Sequence, residues 1–176
     1  MKSLPLKPPV TLKIVLDFLF LLIIAVTIFQ IIFIGIILAN SEETFPFPVH
    51  PNFYDKIDIE AFFILLPFLL SRILFIYIIL KFKHLVNLFF KGIIFSMEQI
   101  KIIAIIGKLI ILAAVLNSLP VFIYKHFLEE TPRTVSYDFG GVDSFWFLLA
   151  IGLFFIFLSK VFDNARKMKE ENELTV

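Results

Sequence analysis

At 176 residues, 60% hydrophobic and 18% charged, with a mean hydropathy of +0.97, the chain is too apolar for a soluble domain, which is roughly half apolar and a quarter charged. Its net charge of +1 sums charges that are segregated along the sequence, which argues against a nucleic-acid-binding patch and leaves no direct nucleic-acid partner. The absence of cysteine excludes disulfides, thiol redox chemistry and cysteine-ligated metal.

Four apolar runs predict an all-α membrane protein with four transmembrane helices, over 14–39, 59–80, 102–124 and 144–162. A bilayer core about 30 Å thick, crossed at about 1.5 Å per residue, requires about 20 apolar residues, and the first three runs supply them. The first run exceeds the roughly 7–15 residues of a signal-peptide core. Its exit, Leu38-Ala39-Asn40-Ser41, lacks a small-x-small cleavage pattern. It reads as a retained helix.

Helix 2 is expected to begin at an N-cap Asp55 or Asp58 and to run on through Lys81, Lys83 and His84 to about Lys91, where Gly92 can take the left-handed C-cap conformation. Ser96-Met97-Glu98-Gln99 then forms a capping box opening helix 3. Residues 81–101 therefore read as a cytoplasmic helical hairpin. Helix 4 is expected to start at Asp143 or Ser144, with Trp146 as an interfacial anchor, and to continue past Lys160 into a tail, 163–176. In that tail Asp163 and Lys167 form an acid-before-base i,i+4 pair, and Phe162, Ala165 and Met168 form a weak apolar stripe. The stripe reads either as part of a solvated stalk or as a docking surface.

Twelve of the 16 basic residues fall on one side of this layout: Lys2, Lys7 and Lys13; Lys81, Lys83, Lys91, Lys101 and Lys108; and Lys160, Arg166, Lys167 and Lys169. The positive-inside bias then predicts both termini in the cytoplasm and a multi-pass location in the cell (inner) membrane, with helices 2 and 4 extended into the cytoplasm. The outer loops, 40–57 and 125–143, are acidic.

The segment Phe90-Lys91-Gly92-Ile93-Ile94-Phe95-Ser96, followed by Glu98, Ile103 and Gly107, and the ending Glu170-Glu171-Asn172-Glu173-Leu174-Thr175-Val176 resemble the bacterial "domain of unknown function 2975" family of small four-helix membrane proteins. Many members of that family are encoded beside a short helix-turn-helix regulator. The resemblance implies a membrane protein partnered with a cytoplasmic helix-turn-helix regulator, and it supplies no catalytic residue. Gly92, Phe95, Ser96, Phe162, Met168, Glu171, Asn172 and Leu174 are accordingly the candidate docking residues, all on the expected cytoplasmic side.

Polar residues inside the spans form a second candidate set: Arg72, Asp17, Gln30, Lys108 and Asn117. Arg72 lies about 12 Å from the cytoplasmic end of helix 2 at about 1.5 Å per residue. An intramembrane arginine costs about 2.5–3.5 kcal/mol on insertion scales, so it requires a partner or a path to water. Its helical neighbours Phe68, Leu69, Phe75 and Ile76 are apolar. It is expected to snorkel to headgroups, to bridge to Asp17 or, second, to Gln30, or to line an ion or ligand path. Ala104, Gly107, Ala114 and Asn117 or Ser118 give helix 3 a small and polar face suited to close packing in lipid. Pro67 and Pro120 are potential kinks.

His50 and His126 with Glu42, Glu43, Glu129 and Glu130 lack tight ligand spacing, so no metal site is expected. No nucleotide loop, serine triad or acid pair is present, and neither enzymatic activity nor a cofactor is expected. The reading is a non-enzymatic regulator or sensor. The alternative is a small transporter or channel component using Arg72, Gln30 and Asn117, as a homo-oligomer because four helices enclose little volume.

Overall fold

A computed structural model describes residues 9–39, 59–92, 94–123 and 145–174. They form four helices: α1 (Val10–Ala39), α2 (Ile59–Phe90), α3 (Met97–Ile123) and α4 (Phe145–Leu174). All four are long and apolar enough to cross a membrane. α1 starts four residues before the expected 14, because Leu12 N–H already donates to the carbonyl of Pro9 at 3.0 Å. The expected N-caps of α2 and α4, both outer loops with their histidines, and Lys2, Lys7, Thr175 and Val176 lie outside the described residues. Pro67 stands inside α2.

The core is built where α2, α3 and α4 meet. Ile78, Leu85 and Leu88 of α2 pack with Ile102, Ile103, Ile106 and Ile110 of α3, and Phe82, Phe89, Phe155, Leu158 and Phe162 close over them. Edge-to-face ring pairs Phe82–Phe155 and Phe89–Phe162, with centroids 5.7 and 6.4 Å apart, run in the same order along both chains, so α2 and α4 are parallel. α3 runs antiparallel between them. At its crossing with α4 the two backbones nearly touch: a Cβ built on Gly107 would lie 2.6 Å from the carbonyl oxygen of Gly152, and one on Gly152 would lie 2.9 Å from that of Gly107. The small face expected on α3 is thus used at Gly107, while its counterpart Gly152 has no signal in the sequence.

α1 packs on α2. Along its length only Leu16 and Thr27 are buried among the described side chains, and its remaining faces carry exposed Ile, Leu, Val and Phe. Hydrocarbon solvates such a surface, and the backbone polar groups are satisfied within each helix. The buried hydroxyls follow the same rule by bonding back to their own helices: Thr27 to the carbonyl of Ile23 at 2.6 Å, Ser71 to that of Phe68 at 3.0 Å, and Ser159 to that of Ile156 at 2.9 Å.

Candidate functional site

At the lysine-rich end of the molecule, caps, ring pairs and ion pairs join the described helices. Asn87 and Phe89 carbonyls accept the amides of Lys91 and Gly92 at 3.1 and 3.0 Å, and Gly92 takes φ +74°, which ends α2 as the sequence predicts. The capping box is reciprocal: Gln99 N–H donates to Ser96 Oγ at 3.2 Å, and Ser96 N–H donates to Gln99 Oε1 at 3.1 Å. Across the hairpin, His84 Nε2 meets Glu98 Oε1 at 2.8 Å. Phe95 holds φ +60°, a left-handed conformation that costs a residue with a Cβ about 1–2 kcal/mol. That backbone places its ring edge-on to Phe162, centroids 5.2 Å apart. Phe95 and Phe162, both candidate docking residues, are half-buried and in ring contact with each other.

Beyond Phe162, α4 continues as an exposed helix laced by ion pairs. Arg166 reaches Glu170 at 2.7 Å and Asp163 at 3.5 Å, Lys167 reaches Asp163 at 2.9 Å, and Lys169 reaches Glu173 at 3.8 Å. The Asp163–Lys167 pair is the one expected from the spacing. Its hydrogen bond from Lys167, with the charges of Lys167 and Arg166, lowers the Asp163 pKa against a smaller opposing effect of burial. A lowered carboxylate pKa means the stabilisation is complete above the unfolded value, about 3.9, and is lost only as pH falls through the folded one. The Asp163 carboxylate is therefore ionised and paired at neutral pH. Met168 and Leu174 project from it, 64% and 86% exposed, and Ala165, Met168, Lys169, Asn172 and Glu173 line a shallow open groove. Glu171 and Asn172 are exposed, as is Gly92.

Among the intramembrane polar residues, Asp17 pairs with a lysine. Asp17 Oδ1 accepts from Lys83 Nζ at 2.6 Å, and Lys83 also lies 4.7 Å from the Phe20 ring. Of the alternatives for Arg72, the Asp17 bridge is absent because the antiparallel register of α1 on α2 brings Asp17 to the level of Lys83. Arg72 instead stacks its guanidinium on Phe68 of its own helix, 4.8 Å from the centroid. A ring face attracts cations, so a neighbour that reads as merely apolar is in fact a partner. The same register brings Gln30 to the depth of Ser71 and Arg72. Its Oε1 is buried and finds no hydrogen-bond donor among the described residues. Asn117 is half-buried and Lys108 exposed.

The Asp17–Lys83 pair is the polar fastening of α1, which makes a direct prediction. Asp17→Lys should loosen α1, seen as a several-fold drop in cross-linking between cysteines introduced at Phe20 and at Ile79, one helical turn from Lys83. The swap Asp17→Lys with Lys83→Asp should recover most of it, since opposite charges again face each other. No drop in Asp17→Lys would show that shape alone seats α1, and a drop without recovery in the swap would show that the loss does not arise from this charge pair.

These features define a four-helix, multi-pass membrane protein whose helices are fastened by aromatic rings, a glycine crossing and boundary ion pairs. Among the described residues no cluster of His, Asp or Glu is arranged to hold a metal. The chain belongs to the family described as Protein of unknown function (DUF2975), which matches residues 6–176, nearly its whole length. No curated protein and no solved structure matches it.

Proposed function

We propose that this protein is a non-enzymatic membrane regulator, oriented with both termini and the 91–96 connection in the cytoplasm, whose α4 tail docks a soluble helix-turn-helix regulator. The observation that carries the reading is the continuation of α4 for three turns past the packed body, from Asp163 to Leu174, as a charged, self-paired helix with exposed Met168 and Leu174 and the groove at Ala165 and Asn172. A helix anchored by Phe162 that leaves Met168 and Leu174 exposed presents apolar positions of the kind that amphipathic helices use in recognition. The lysine-rich ends of the helices support the orientation through the positive-inside bias.

The test is capture of the purified helix-turn-helix regulator by the detergent-solubilised full-length protein, compared with a chain ending at Phe162 and with Met168→Glu. Retention by the full chain and loss of at least about tenfold in affinity in both variants is the expected outcome. A tenfold change corresponds to about 1.4 kcal/mol, well within what one buried apolar anchor contributes. Equal binding by the shortened chain, or no binding by any, would remove this reading.

A second reading, a small transporter or channel component acting as a homo-oligomer, is favoured by one observation: the orphan Gln30 Oε1 at the depth of Arg72. Proteoliposome flux abolished by Arg72→Ala would support it.

A further inference from the structure

The described basic residues at the lysine-rich end differ in their partners: Lys81 lies 5.0 Å from the Tyr77 ring, and Lys13 and Lys91 are exposed on α1 and just past α2. Lys83, Arg166, Lys167 and Lys169 each hold a carboxylate. Lys101, Lys108 and Lys160 are exposed and meet no acidic group among the described residues, and the fold gathers these three on one face.

On α3, Ile102 and Ile106 are buried against Ile78, Leu85 and Leu88 of α2, and Gly107 faces α4. The remaining stripe, Lys101, Ile105, Lys108 and Leu112, follows 4-3-4 spacing and is exposed throughout. On α4, Gly152 and Ile156 face α3 while Phe155 and Phe162 face α2. The stripe on the opposite flank, Leu153, Phe157, Lys160 and Asn164, has the same spacing and is likewise exposed. Both stripes lie on the side of the α3–α4 pair away from α2. The antiparallel crossing that sets Gly107 against Gly152 and Ile156 also sets Lys101 level with Lys160, with Lys108 two turns deeper along α3.

We propose that this face is a binding site for an anionic phospholipid. Its phosphate sits between Lys101 and Lys160, Lys108 reaches up to it from below, and its acyl chains run over Ile105, Leu112, Leu153 and Phe157. Charge complementarity selects the occupant: three unneutralised ammonium groups at the edge of an apolar band match a phosphate joined to hydrocarbon. Long lysine stems bury along such a band while their heads reach the headgroup layer. A soluble anion would leave the apolar half of the face unused. A neutral lipid would leave the lysines without a counter-charge.

The experiment is native mass spectrometry of the full-length protein with phosphatidylglycerol, phosphatidylcholine or inorganic phosphate. The variants are Lys101→Gln/Lys108→Gln/Lys160→Gln, the charge-retaining triple Lys→Arg at the same positions, and Lys13→Gln/Lys91→Gln/Lys169→Gln as an equal change of charge elsewhere. The wild type should retain phosphatidylglycerol over phosphatidylcholine. The first variant should lose about fivefold of that preference per lysine removed, while the arginine triple and the control keep it. Equal loss in the control, no preference in the wild type, or displacement of the lipid by inorganic phosphate at similar concentration would each overturn the proposal. So would loss in the arginine triple.

Discussion

Gly107→Ala is expected to destabilise the protein by about 1–3 kcal/mol, the range for forcing an extra group into a packed interior, and Gly107→Leu by more. The added Cβ meets the Gly152 carbonyl oxygen at 2.6 Å, Ile156 Cγ1 at 2.9 Å and Ile156 N at 3.0 Å. Two of those three atoms are helix backbone, which cannot turn aside as a side-chain tip can. α3 and α4 must therefore separate along their crossing. In lipid the loss is not offset by hydrophobic pressure, because helix association there rests on close van der Waals contact.

The internal control is Gly35→Ala, also within a membrane helix but with nothing within 4 Å of the new Cβ. Alanine is favoured over glycine in a helix by about 0.8–1 kcal/mol, so this variant should be neutral or slightly more stable. Thermal unfolding in mild detergent should thus move the midpoint in opposite directions, or down for Gly107→Ala alone. Equal small shifts at both positions would mean that the α3–α4 crossing is looser than its geometry indicates.

What the sequence discloses of this architecture divides by the range of the interaction. The four helices, the Gly92 stop, the Ser96–Gln99 cap and the Asp163–Lys167 pair are all decided within about four residues of chain, where spacing alone places the groups. The Asp17–Lys83 pair depends on how α1 is rotated and shifted against α2. Asp17 and Arg72 are plausible partners by charge but not by depth. Gly152 lies within an unbroken apolar run where a glycine carries no local signal, and its role emerges only when Gly107 is seen opposite. Arg72 does carry a local signal: Phe68 precedes it by one helical turn, and an i,i+4 aromatic is within reach of a guanidinium.

Phe162→Ala should release the 91–96 connection from α4. The ring makes edge-to-face contacts with Phe89 and Phe95, each worth about 0.5–1.5 kcal/mol beyond the area it buries, so a total loss of about 2–3 kcal/mol is expected. The informative readout is local, because the contact with Phe95 is what offsets that residue's left-handed backbone. Hydrogen exchange at Gln99 and Ile100, whose amides are held by Ser96, should accelerate in Phe162→Ala while the midsection of α3 stays protected.

Phe95→Gly separates strain from contact. In the native background it relieves the backbone at the cost of the ring pair and should destabilise. In the Phe162→Ala background the ring has lost that partner, glycine tolerates φ +60° freely, and the same substitution should become neutral or stabilising. That dependence on background is a coupling measurable in a double-mutant cycle. If Phe95→Gly cost the same in both backgrounds, the two rings would be neighbours without being linked, and the bend at Phe95 would need another cause.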